Sequence, residues 1–368
     1  MSTEGGLIIY GVREYKEMGT FAATPIELAG VRERIGEVVA SHVHERVQLS
    51  VHELPLADDS TNGFVLVEVP ASPRAPHMVQ TKGHHRYYGR TPAGNVILDQ
   101  TQVAHLYARR STLELEAGNA LDEAIAAFPR LPVASGTLRG DLYMVVHPLV
   151  SDSDLRERVF PDDAGPTMLQ AVLGTQNDLR FETQWDPKFS DISNGARFQT
   201  IMDGFSMVNP SIDRDGEQID LYVSQIDVLD NGTVRYFRAA LARQVAIQTT
   251  GQPAVVFLIR DTAAAQHAAH VSLFAGRFLE AAGYHGMADV SLALTQIRTS
   301  YSWEWLTVNF PPRNGYPMAP VDDYRQSVRL PAERLVEDPC GVAKELLERL
   351  LRTIRRPTFP DPWSIAAI

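Results

Sequence analysis

The sequence predicts an α+β chain of two domains, and three observations carry that reading. Short apolar or alternating runs of strand length, bounded by glycine, proline and asparagine, are interleaved with helical periodicities along the whole chain. The 368 residues exceed one ordinary domain, and the second half never repeats the first. Between the halves, residues 113–138 turn alanine-rich and then meet Pro129 and Pro132, as a connector does. The boundaries expected are therefore a domain over 1–112, a linker over 113–138 and a domain over 139–368. The first is expected to be a small mixed sheet, the second a mixed α/β domain with antiparallel hairpins and an amphipathic C-terminal helix.

Taking the elements in order, Gly5-Gly6 followed by Leu7-Ile8-Ile9-Tyr10-Gly11-Val12 reads as a turn entering a buried central strand. A strand that apolar needs neighbours on both sides, yet almost nothing precedes it. Its open edge is expected to be covered by a symmetric partner or by the second domain, so a homo-oligomer is expected. Thr24-Pro25 opens a helical periodicity through Ile26, Val31, Ile35, Val38 and Val39 that ends near His42. Residues 47–54 alternate and pair with the apolar run at 64–69 across Asn62-Gly63. A proline-rich turn over 70–76 leads to a polar, aromatic strand at 84–90, and residues 99–110 form a closing helix.

In the second half Leu142-Tyr143-Met144-Val145-Val146 starts the strands again. The clearest hairpin joins 221–226 to 234–237 through Asp230-Asn231-Gly232. Val255-Val256-Phe257-Leu258-Ile259 is a buried strand, and Asp261-Thr262 caps a helix that Gly283 stops. Residues 290–297 and 303–310 read as strands, the latter following Tyr301-Ser302 with Trp303 and Trp305 on one face. Residues 345–356 form the terminal amphipathic helix.

Composition narrows the function classes. With 44% hydrophobic and 21% charged residues the chain can bury real cores, which excludes disordered, collagen-like and coiled-coil proteins. The single cysteine, Cys340, excludes a disulfide framework and multi-cysteine metal sites, and fits a reducing compartment, with the cytoplasm as default. No stretch reaches the roughly 18 to 20 apolar residues of a membrane span, and Met1-Ser2-Thr3-Glu4 begins no signal peptide.

Charge is unevenly placed. The net charge is −11, yet from residue 74 to 110 stand Arg74, Lys82, Arg86, Arg90, Arg109 and Arg110 against Asp99 alone. A cationic segment in an acidic protein is the asymmetry expected when one face meets a polyanion. Guanidinium groups hold phosphates and flat side chains stack on bases, so the strand at 84–90 carries both tools. Alternation puts Arg86, Tyr88 and Arg90 on one face and His85, Tyr87 and Gly89 on the other, with Lys82 extending the first. The alternative is that Tyr87 packs inward and the arginines keep an edge strand soluble.

Ser2-Thr3-Glu4-Gly5-Gly6-Leu7-Ile8-Ile9-Tyr10-Gly11-Val12, then the strand at 65–70 with Ser72 and Pro76, then Tyr87-Tyr88-Gly89-Arg90, then the helix at 99–110 follow in that order. Over residues 1–110 this pattern resembles the Schlafen-type AlbA-like domain. The resemblance implies a nucleic-acid-binding module of the kind found in transcriptional regulators and defence proteins. The chain departs from the pattern in lacking the family's opening helix and glutamate-rich strand. It also has Arg13 and Glu14 where an aspartate pair is common. In the family's ribonuclease branch, carboxylates at those positions hold a divalent metal, and Glu14 is the one remnant.

Catalysis therefore has little to draw on. Metal-dependent phosphodiester cleavage needs two or three converging carboxylates, and Glu14 would need Glu17 or Glu68 beside it. A divalent metal enters only with that ribonuclease alternative; no cofactor is otherwise expected. Gly5 and Gly6 are phosphate-turn candidates, but no Gly-Lys pair exists, so ATP is not supported. His42-Val43-His44 and His84-His85 make no good zinc pattern. Asp213-Arg214-Asp215-Gly216 lacks the later ligands of a calcium loop and reads as a turn. Cys340 reads as a helix-start residue rather than a nucleophile. A third alternative is an interaction scaffold without nucleic acid, in which case the 82–90 stripe should be buried or paired with acids.

Overall fold

The computed structural model describes residues 5–15, 18–45, 47, 49–69, 72, 74–81, 83–91, 94–128, 138–149, 155–160, 167, 170–171, 174–175, 178–179, 181, 197–209, 223–247, 254–308, 316–355 and 362. The architecture is α+β, divided into compact units over 1–115 and 116–368.

The N-terminal unit contains β1 (Gly6–Tyr10), β2 (Val12–Tyr15), β3 (Thr20–Ala23), β4 (Ile26–Glu27), α1 (Val31–His42), β5 (Val43–His44), β6 (Ser50–Pro55), β7 (Asn62–Val69), β8 (Met78–Thr81), β9 (His84–Thr91) and β10 (Gly94–Ile97), and the start of α2 (Gln100–Ala127). Its described pairings are all antiparallel, which differs from the mixed sheet expected. In the first sheet β7 is central, with β6 along one side and β1 followed by β4 along the other. Alternation on β7 buries Val65 and Val67, which meet Leu28 and Val31 in a small core. Gly63 is where β6 comes closest: a Cβ there would lie 2.3 Å from the Leu54 carbonyl oxygen.

Two further expectations fail in this unit. β1 is an edge strand exposed on both faces rather than a buried central one, because among the described residues it pairs with β7 alone. The first helix begins at Val31 rather than after Pro25, for two reasons. Ile26 and Glu27 are taken by a ladder with Gly63 and Asn62, and Gly30 follows in the left-handed region at φ 68°. The second sheet has the order β10-β9-β8-β5, and β2 and β3 form a separate hairpin.

α2 runs on to Ala127, so residues 113–127 of the expected connector are helix; 129–137 lie outside the described residues. The C-terminal unit then holds β11 (Arg139–Pro148), α3 (Leu155–Val159), β12 (Arg197–Ile201), β13 (Gly204–Asn209), β14 (Ser224–Leu229), β15 (Val234–Ile247), β16 (Ala254–Ile259), α4 (Asp261–Ala281), β17 (Met287–Leu294), β18 (Tyr301–Ser302), α5 (Trp303–Val308), β19 (Tyr324–Pro331), α6 (Arg334–Glu337) and α7 (Pro339–Ile354). The sheet order is β12-β13-β14-β15-β11-β17-β19, with β16 beside β15 and β18 beside β16. On one face, Leu142, Met144, Val146 and Tyr236 pack against α4 and α7 through Phe274, Phe278, Leu346 and Leu350. On the other, Tyr143 and Phe237 meet Ala120 and Ala124 of α2 and Phe128 just after it.

The hairpin expected at 221–237 is β14 and β15, turning at Gly232 with φ 84°. Residues 303–308 are helix rather than strand, so Trp303 and Trp305 do not share a strand face. The chain leaves the sheet at Ser302, whose hydroxyl donates to the buried Asp261 carboxylate at 3.0 and 2.9 Å. Asp261 itself does not cap α4: its carboxylate is engaged by Arg355 as well.

Candidate nucleic-acid interface

The expected stripe lies on β9, the strand flanked by β8 and β10. Direct partners across the ladders are Val79 with Arg86, Ile97 with Tyr88 and Asn95 with Arg90, so these six side chains share a face. Arg86 and Arg90 are exposed and Tyr88 is half-buried between them. A rise of about 3.3 Å per residue separates the two arginine Cα atoms by about 13 Å, with the tyrosine midway. Among the described residues neither arginine is ion-paired with an acid; Arg90 donates from Nη1 to Asn95 Oδ1 at 3.3 Å. Exposed His84 continues the same row.

The reverse face is what holds the strand. Tyr87 lies edge-on to Tyr107 of α2, their ring centroids 6.2 Å apart and their hydroxyls 3.0 Å apart. That hydrogen bond pushes the Tyr87 phenol up to about 12, so it stays protonated at neutral pH. Gly89 faces the same way, and a Cβ there would lie 2.7 Å from Leu98 Cδ2. The glycine in Tyr-Tyr-Gly-Arg thus makes room for Leu98, the residue after β10.

Of the other cations, Arg110 serves the scaffold. Its Nη1 donates to both Glu45 oxygens at 3.0 and 2.9 Å and to the Arg74 carbonyl at 3.3 Å. This ties α2 to the turn after β5 and to the loop before β8. The loop is fixed again by buried His77, which contacts Ser72 Oγ at 2.7 Å and the Glu45 carbonyl at 3.2 Å. Burial lowers the His77 pKa, so it is neutral there. Nothing local in sequence linked Glu45 to Arg110, which are 65 positions apart. Arg109 is half-buried and engaged, and Lys82 lies outside the described residues.

The remaining candidates are dispersed. Gly5 adopts φ 84° and Gly6 opens β1 opposite Val69, a turn into a strand. Glu14 stands exposed on β2 opposite Phe21, whereas Glu68 is half-buried on β7; Glu17 lies outside the described residues. Among the described residues no three His, Cys, Asp or Glu side chains are grouped to hold a metal. His42 ends α1 and contacts Ser41 Oγ and the Val38 carbonyl. Cys340 is half-buried in the first turn of α7, and the 213–216 turn lies outside the described residues. No described helix is long and apolar enough to cross a membrane.

Compared with protein-family models, with curated proteins and with solved structures, the chain matches none.

Proposed function

We propose that the N-terminal unit binds nucleic acid as a module of the Schlafen AlbA-like type, serving in a transcriptional regulator or a defence protein. Arg86 and Arg90 contact backbone phosphates, and Tyr88 presents an aromatic surface between them. The observation that carries this reading is the division of labour on β9: both arginines are exposed on one face while Tyr87, on the other, is fixed to Tyr107. The edge-strand alternative packs Tyr87 inward as well, but β9 lies between β8 and β10 and is no sheet edge, so its arginines have no edge to guard. A scaffold reading expects this stripe buried or paired with acids, and Arg86 and Arg90 are neither among the described residues.

The test is binding of labelled single-stranded RNA, double-stranded RNA and duplex DNA to the full chain and to its R86A/R90A variant. Binding by the parent to at least one of these, lost in the variant, supports the reading. Equal binding by both proteins, or none by the parent, rejects it.

A further inference from the structure

Among the described residues, the β1 edge of the first sheet of the N-terminal unit is unguarded. Edges of a sheet are ordinarily blunted by charge, proline or a bulge, because unpaired N–H and C=O groups recruit other strands. The β6 side of the first sheet obeys this rule with His52, Glu53 and Pro55. The β1 side does not: Gly6–Tyr10 carries no charge, proline or bulge, and its register with β7 is unbroken. Leu7, Ile8, Ile9 and Tyr10 are 56%, 48%, 52% and 43% exposed, so apolar side chains stand open on both faces at once. The unit's own core is correspondingly thin, with Leu28, Val31, Val65 and Val67 as its buried cluster.

We propose that β1 pairs antiparallel with β1 of a second copy of this chain, in a register centred on Ile8, the midpoint of the strand. A two-fold pairing is self-complementary and closes, and the absence of charge on the strand means that no like charges oppose one another. The following hairpin adds Val12 and Phe21, which share one of its faces and are exposed. At roughly 100 Å² each, about half of what a large side chain offers, these six residues supply on the order of 600 Å², the low end of one partner's share of a standard interface. The pairing joins two four-stranded sheets through β1.

The experiment is light scattering on the full chain, at loadings above and below about 50 μM, since dimerisation follows mass action. It is accompanied by hydrogen exchange at the Leu7–Tyr10 amides. The expected mass is twice 40.8 kDa, with those amides protected. I8K/I9K, which puts the missing guards on both faces, is expected to weaken dimerisation at least 100-fold. V38K, at an exposed apolar site on α1, is expected to leave it unchanged. A dimer that I8K/I9K does not weaken overturns the proposal. So does a parent monomer, whether its β1 amides exchange freely or are protected within one chain.

Discussion

Acidification should destabilise the C-terminal unit through His270. Its imidazole is buried on α4, with Nδ1 2.9 Å from the Gln266 carbonyl and Nε2 3.1 Å from the Leu179 carbonyl, and with Phe181 edge-on to the ring. Two carbonyl acceptors favour the protonated ring, but burial outweighs them and lowers the pKa from 6.5 to about 4. The unfolded chain therefore takes up the proton first. Stability from this residue is fully present above pH 6.5 and is lost as pH falls towards 4. At 1.36 kcal/mol per unit, the shift amounts to about 3 kcal/mol. Neighbouring His267, buried and held well below its usual range, moves stability in the same direction. All four tryptophans, Trp185, Trp303, Trp305 and Trp363, fall in this unit, so tryptophan fluorescence during urea unfolding reports on it selectively. Between pH 7.5 and pH 4.5 the parent should lose about 2.5 kcal/mol more than H270Q. Equal losses in the two proteins would mean that His270 does not carry the acid sensitivity.

Three further perturbations follow from the same physics. R355M strands the buried Asp261 carboxylate, so the C-terminal unit should lose about 3 to 5 kcal/mol in urea unfolding. D261N/R355M should recover part of that loss, because the Asp261 charge is gone while buried Glu304 still lacks Arg355. G63A forces a Cβ against the Leu54 carbonyl and should lower the N-terminal unit's stability by about 2 kcal/mol or more, read by circular dichroism. R110A leaves Glu45 without its two-oxygen contact and should cost about 1 to 3 kcal/mol in the same unit, while Arg86 and Arg90 remain in place.

Much of the fold was legible because the signals were local. The β6–β7 pair followed from the alternation of 47–54 and the apolar run at 64–69, although Asn62-Gly63 lies inside β7 and not between the strands; the β14–β15 hairpin followed from Asp230-Asn231-Gly232, and α7 from its leucine stripe. The failures came where distant partners decided. Ile26 has helical spacing but is captured by Gly63, 37 positions away. Residues 303–308 alternate like a strand, yet the chain turns helical beside Asp261, with Glu304 accepting from the Thr262 amide at 3.3 Å. The faces of β9 were readable from period two alone, whereas the Tyr107 anchor and the Glu45–Arg110 tie depended on how α2 returns. β1 looked central because hydrophobicity cannot distinguish a strand buried within a chain from one left open at an edge.

If Arg86 and Arg90 make phosphate contacts, as proposed, the salt dependence of binding reports them. Each phosphate contact contributes about one unit to the slope of log K against log salt. R86A/R90A is expected to lower that slope by about two while leaving unfolding within about 0.5 kcal/mol of the parent, since both side chains are exposed. An unchanged slope in a folded variant would contradict the proposal.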